Sequence, residues 1–216
     1  MRSADSRRKS ERSSLERLRL LQLKLYLKGK QEKGYKFYVL YDKISLGYIL
    51  EQAYKRCRSN DGSPGIDGMT FKDVEEYGVQ RFLEELGEDL RKRTYKPDPV
   101  KRVWIEKENG GKRPLGIPTI RDRVAQQACK LVIEPIWEAD FDDSSYGFRP
   151  KRSAADAVSQ IKENLKSGKH DVYDADLSKY FDTIPHDKLE VTLRERITDP
   201  RAVSYTHLTL PTIYSV

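Results

Sequence analysis

The period of the apolar residues changes twice along this chain, and that change limits its fold more than any other feature. Over residues 100–118, VKRVWIEKENGGKRPLGIP, the period is two. Val103 and Ile105 share one face, an Asn109-Gly110 turn follows, and Leu115 and Ile117 return on the same parity, which predicts a β-hairpin. Pro114 and Pro118 confine the returning strand to an edge or a bulge. On both sides the period is helical. Leu15, Leu18, Leu21 and Leu25 recur with Arg and Lys between them after a polar, Ser-rich stretch of 14 residues that reads as disordered. A second helix is predicted over Tyr41–Arg58 and a third over Phe71–Arg93, separated by the turn-rich loop NDGSPGIDG at 60–68. After the hairpin, Thr119 and Asp122 signal a helix from Ile120 towards Pro135. Ser153 and Asp156 signal another, with Ala154, Ala157, Val158, Ile161 and Leu165 as its apolar stripe.

Charge is segregated along the chain. The formal total is +7, from 41 basic and 34 acidic side chains. Residues 1–36 carry a net +8, residues 37–90 a net −5, residues 91–130 a net +8 and residues 131–216 a net −4. Blocks on this scale suit a polyanion partner beside an acidic site. The basic face of the first helix fits an RNA backbone, a partner helix or a membrane surface. No apolar run approaches the length of a membrane span, and the N-terminus lacks a signal peptide's apolar stretch. Cys57 and Cys129 are far apart, with no Cys-x-x-Cys pair and three His, so a disulfide scaffold and a zinc module are excluded and both thiols read as core residues. The expected setting is reducing and cytoplasmic.

Chemistry concentrates in DVYDADLSKYFDTIPHDKL, residues 171–189. In an extended strand Tyr173, Ala175 and Leu177 would face a core, and Asp174 and Asp176 would share the other side. Two carboxylates on one strand face are either solvated at an edge or hold a hard cation such as Mg²⁺. His186, after Pro185, reads as the start of a helix.

DLSKYFD resembles motif A of reverse transcriptases, in the form found in proteins encoded by bacterial group II introns. SPGIDG (63–68), YKPDPVKRVWIEKENGGKRPLGIPTIRDRVAQQA (95–128) and YGFRPKRSAADAV (146–158) resemble other blocks of that family, in the same order, and the resemblance covers residues 37–199. It implies an α+β fold: the fingers and part of the palm of a right-hand polymerase, with a helical N-terminal extension. The domains expected are a basic segment at 1–36, the extension at 37–94, fingers and partial palm at 95–200, and a tail at 201–216. The implied reaction is RNA-directed DNA synthesis with two Mg²⁺ ions roughly 3.5–4 Å apart. The partners would be intron RNA, an RNA template with its DNA primer, and deoxynucleoside triphosphates. By resemblance, Asp176 and the Leu177 carbonyl hold metal, Lys107 and Arg113 hold the triphosphate, and Phe181 crowds a ribose 2′-hydroxyl. Accessory positions are Lys112 (phosphate contact or solvated charge), Arg149 (template or nucleotide), Asp174, and Asp182 (family match or helix cap). A non-catalytic RNA-binding module built on the basic helix and fingers is the alternative.

The sequence departs from the family in two ways. No Y-A-D-D-like second carboxylate pair follows motif A, and from Arg201 AVSYTHLTLPTIYSV reads either as foreign sequence joined to a truncated gene or as a short strand completing a sheet. One strand's carboxylates cannot hold two Mg²⁺ ions at catalytic spacing. Residues 1–216 on their own are therefore expected to extend no primer on poly-rA in Mg²⁺. Extension that Asp176→Ala abolishes would overturn this.

Overall fold

The computed structural model describes residues 2–106, 110–177 and 183–203, except for the side chains of residues 2–12 and of Arg113. Helix α1 spans Arg2–Gln31, so the Ser-rich start is helical rather than disordered. The correction has a visible cause along the helix: Ser14 is buried and its Oγ donates to Glu51 Oε2 at 2.7 Å, which ties the early turns to the helical core. Leu18 and Leu25 are buried, and the leucine row packs on α3 (Gly47–Asn60) and α6 (Ile120–Glu138). The inner face of the first helix thus meets partner helices.

The predicted helix over 41–58 is two helices, α2 (Tyr41–Ile44) and α3. Ser45 Oγ donates to the Asp42 carbonyl at 3.0 Å, and Leu46 is extended, so the chain turns between Ile44 and Ile49, both fully buried. The predicted helix over 71–93 also divides, into α4 (Phe71–Tyr77) and α5 (Val79–Lys92). Gly78 stands between them at φ +106°, a conformation that only glycine adopts at little cost. A Thr70–Asp73 capping box starts α4, and Phe82, Leu86 and Leu90 of α5 are buried as their spacing requires.

Strands β1 (Lys101–Glu106) and β2 (Lys112–Ile117) form an antiparallel ribbon in which Val103 faces Leu115, Trp104 faces Pro114 and Ile105 faces Arg113. It pairs with no other described strand, so Pro114 sits on an edge, where its missing N–H costs no ladder bond to a third strand.

Helix α6 is the centre of the core. Ile120, Val124, Ala125, Ala128, Cys129, Leu131, Val132 and Ile136 are all buried, and α1, α2 and α3 pack around it. Thr119 caps it by accepting from the Asp122 N–H. The helix runs through Pro135, which has no N–H for the carbonyl of Leu131 four residues earlier. Gln22 of α1 supplies the substitute: its Nε2 donates to Leu131 O at 3.0 Å. Helix α7 (Ala154–Lys166) begins at the expected Ser153–Asp156 capping box, but none of its residues is buried. Helix α8 (His186–Arg196) starts directly after Pro185 and leads into a strap, residues 197–203, that returns to the N-terminal half. In the strap Ile197, Ala202 and Val203 are buried, and Phe37 forms a parallel bridge with Ile197.

Asp199 fastens this strap. Its carboxylate accepts from the backbone N–H groups of Leu40 (3.0 Å), Tyr41 (2.9 Å), Arg201 (3.1 Å) and Ala202 (3.3 Å). Burial pushes its carboxyl up, but the four donors outweigh that and hold it below the ordinary carboxylate range. The unfolded chain therefore binds this proton more readily, so the clamp contributes fully above about pH 4 and is lost as pH falls through the lower folded value. Asp199→Ala should cost about 2–3 kcal/mol in urea unfolding at neutral pH, with the difference from the parent shrinking in acid. Gln22→Ala should cost about 1 kcal/mol by leaving the Leu131 carbonyl unpaired.

Candidate functional site

Two segments carry the predicted chemistry, and the structure places them differently. The hairpin projects with most of β1 exposed, and Lys101, Arg102 and Lys112 stand on its surface beside Trp104, itself 58 % exposed. Lys112 lies opposite Glu106 in the register. The Arg113 backbone occupies β2, while Lys107 lies outside the described residues.

Residues 171–177 are not the expected strand. They have no regular structure, and Val172, Tyr173 and Leu177 are 83, 93 and 68 % exposed. A strand exists only where a neighbour satisfies its N–H and C=O groups, and no described residue does so here. Asp174 and Asp176 are exposed and paired with no described cation. Phe181 and Asp182 lie outside the described residues, as does all of the tail beyond Val203. Among the described residues, the hairpin and residues 171–177 share no hydrogen bond or ion pair. No group of three or more His, Cys, Asp or Glu among them could hold a metal. The carboxylates of Asp174 and Asp176 are hard oxygen donors of the kind Mg²⁺ accepts.

Arg149 is held by contacts within its own part of the chain. Its side chain is buried and engages Glu138 at 2.7 Å, the Ser145 carbonyl at 2.8 Å and the Asp142 carbonyl. Hydrogen bonding to Glu138 raises its pKa further, although burial opposes this. It braces the 140–150 loop. On that loop Phe148 is 96 % exposed at φ +56°.

The SPGIDG loop is built against the start of α6. A Cβ on Gly65 would lie 2.7 Å from the Thr119 backbone, so only glycine permits the approach. Arg123 of α6 donates to the Pro118 carbonyl at 3.0 Å and to the Ser63 carbonyl, clasping the loop. Sequence reasoning missed Arg123 and read Asp122 only as a helix cap; the Asp122 carboxylate also accepts from Tyr95 Oη and from the Asp98 N–H at 3.1 Å, thereby anchoring the approach to the hairpin. The aligned Thr119-x-x-Asp122 pattern was the available signal, but it indicates only the cap. Burial pushes the Cys57 thiol up to about 11, which makes it an inert core thiol.

Comparisons with known proteins place the sequence in a family. The profile of the family "Reverse transcriptase (RNA-dependent DNA polymerase)" matches residues 105–214, just over half of the chain and including both Asp176 and Arg113. The chain belongs to the reverse transcriptase family. It is 41 % identical over 158 residues to protein YkfC of Escherichia coli K12, covering 70 % of this chain and 41 % of that protein. It is 36 % identical over 154 residues to the group II intron-encoded protein LtrA of Lactococcus lactis subsp. cremoris, covering 70 % of this chain and 25 % of LtrA. It is 32 % identical over 187 residues to an uncharacterized 91 kDa protein in the cob intron of Schizosaccharomyces pombe, covering 81 % and 22 %. The chain thus spans about two fifths of the first and a quarter or less of the others.

Gly65→Ala should force the loop off α6 and lower stability by about 1–3 kcal/mol, as overpacking against rigid backbone does. A melting curve beside that of Gly68→Ala, where no atom lies within 4 Å of an added Cβ, separates this clash from backbone strain, since only Gly68 has a positive φ.

Proposed function

We propose that the protein performs RNA-directed DNA synthesis at a site built on Asp176, and that it binds the intron RNA that encodes it. The observation that carries this reading is the family match across a segment whose two carboxylates stand exposed and uncommitted. A basic hairpin in the same chain supports it. A non-catalytic RNA-binding module would leave those carboxylates without a task.

In this reading the Asp176 carboxylate and the Leu177 carbonyl hold Mg²⁺, and Asp174 assists from the same segment. Bound Mg²⁺ supplies charge neutralisation on the phosphates and lowers the pKa of the primer hydroxyl. Arg113 takes triphosphate oxygens with its fork, and Lys107 adds a point charge. Phe181 excludes a ribose 2′-hydroxyl by bulk. Lys112 contributes charge near the phosphates. Arg149 has no part in this assignment. The right-hand arrangement of fingers and palm is proposed with it, as is a cytoplasmic location.

Primer extension on an RNA template, in a longer protein carrying these residues, tests the assignment. Asp176→Ala should remove activity to below detection and Asp174→Ala should cost much less; equal losses would sink the assignment of Asp176. Arg113→Ala should raise the nucleotide KM more than it weakens RNA binding, because it addresses the triphosphate. A pure loss of RNA affinity would move Arg113 to the template track.

A further inference from the structure

Some arginines on the described surface are matched by an acidic side chain. Arg58 pairs with Glu75, Arg81 with Glu85, Arg121 with Asp89, Arg152 with Asp143 and Arg194 with Glu190. Others have no ion pair to a described residue, and three of these line one cleft. Arg91 and Arg93 at the end of α5 and Arg201 in the strap surround a cavity of about 360 Å³ with Tyr41, Asp42 and Leu46. None of the three is ion-paired to any described residue.

The acids that could neutralise them are committed elsewhere. Asp89 is held by Arg121 and by Thr94 Oγ1 at 2.7 Å. Asp199 spends its carboxylate on four backbone N–H groups. Asp42, the one carboxylate in the lining, is already beside Lys43 at 3.4 Å. The geometry is also held in place. Arg91 Nη1 donates to the Ser45 carbonyl at 3.2 Å, Tyr41 Oη donates to the Leu90 carbonyl at 3.0 Å, and the Asp199 clamp keeps Arg201 beside Tyr41. Arg93 and Arg201 are both close enough to Tyr41 to act on its hydroxyl, opposing the rise that burial causes.

We infer that this cleft binds phosphate groups, and specifically a backbone phosphodiester of a single-stranded polynucleotide. Guanidinium forks match phosphate oxygens, and three uncompensated cations around one opening repel each other until an anion enters. Asp42, Leu46, Arg91, Arg93 and Arg201 are all exposed, so the opening suits a strand passing across it rather than a small molecule enclosed in it. The inference does not depend on the polymerase assignment, because no residue is shared between the two.

The test uses the 216-residue chain and a fluorescein-labelled (rU)12 oligomer. Replacing Arg91, Arg93 and Arg201 by Gln should weaken binding about 10-fold near 0.1 M salt and make the salt slope shallower by about two, as the loss of two to three phosphate contacts requires. The control removes three charges from α7 and its end, Lys162→Gln, Lys166→Gln and Lys169→Gln, and should change affinity less than about twofold. The double variant Arg93→Gln/Arg201→Gln keeps the Arg91 bond to Ser45 and guards against a folding defect. It should show most of the effect with an unchanged melting curve. Equal losses in the cleft and α7 variants would overturn the proposal, since only net charge would then matter. Millimolar inorganic phosphate should leave RNA binding nearly unaltered. If phosphate binds the parent but not the triple variant while RNA affinity is the same in both, the polynucleotide assignment is overturned in favour of a free-phosphate site.

Discussion

The structure is arranged around α6, which carries more of the buried core than any other described helix. Along α6 the buried residues cover more than one face, so α1, α2 and α3 must all pack on it. Ala125, Ala128 and Cys129 keep its girth small enough for α3 to approach. Pro135 then creates a demand inside that core, because the Leu131 carbonyl loses its helical donor. Gln22 meets the demand from α1, a helix more than a hundred residues earlier in the chain. One polar bond thereby sets where along α6 the long first helix rests, which leucine packing alone would leave free to slide by a turn.

Polar groups do the same work at the other end of the molecule. Arg196 is buried, and its guanidinium donates to the carbonyls of Gly29 at 3.0 Å, Lys33 and Tyr35, where α1 has run out of its own N–H donors. Its Nε lies 2.7 Å from the Asp140 carboxylate just past α6, so one side chain joins the ends of α1, α6 and α8. Removing one member of such a buried set leaves the others charged or unpaired, which is why these contacts carry more energy than surface pairs of similar length. Asp199 repeats the device with the charges reversed. The consequence reaches the surface: with Asp199 and Asp89 committed inward, Arg201, Arg91 and Arg93 are left facing solvent.

Local rules made much of this legible. Hairpin pairing needs only alternation and a turn, and the observed register places Val103 opposite Leu115. Capping is a matter of three residues, and both the Thr119 and Ser153 signals hold. The helix breaks at Ser45 and Gly78 were less legible, because apolar periodicity runs on through both and packing chooses where the chain bends. The contacts of Arg149 were not legible for a related reason: a motif shows which residue type recurs, while its partners Glu138 and the 142–145 carbonyls become neighbours only when the loop folds back.

Residues 171–177 mark the boundary between the two kinds of knowledge. The residues and order of four motifs, through their resemblance to a known family, were sufficient to place this chain among the reverse transcriptases and to offer Asp176 as the candidate metal ligand. Those are properties of covalent order and of side-chain chemistry, which the chain carries whether folded or not. Whether the segment becomes a strand depends on a neighbour to accept its hydrogen bonds, and Tyr173 and Leu177 remain exposed where no described residue provides one. The Gln22, Arg196 and Asp199 contacts, the close seat of Gly65 on α6 and the cleft of unmatched arginines belong to the tertiary structure alone. Each joins residues distant in the chain, and no local pattern encodes which distant donor an unpaired carbonyl or carboxylate will find.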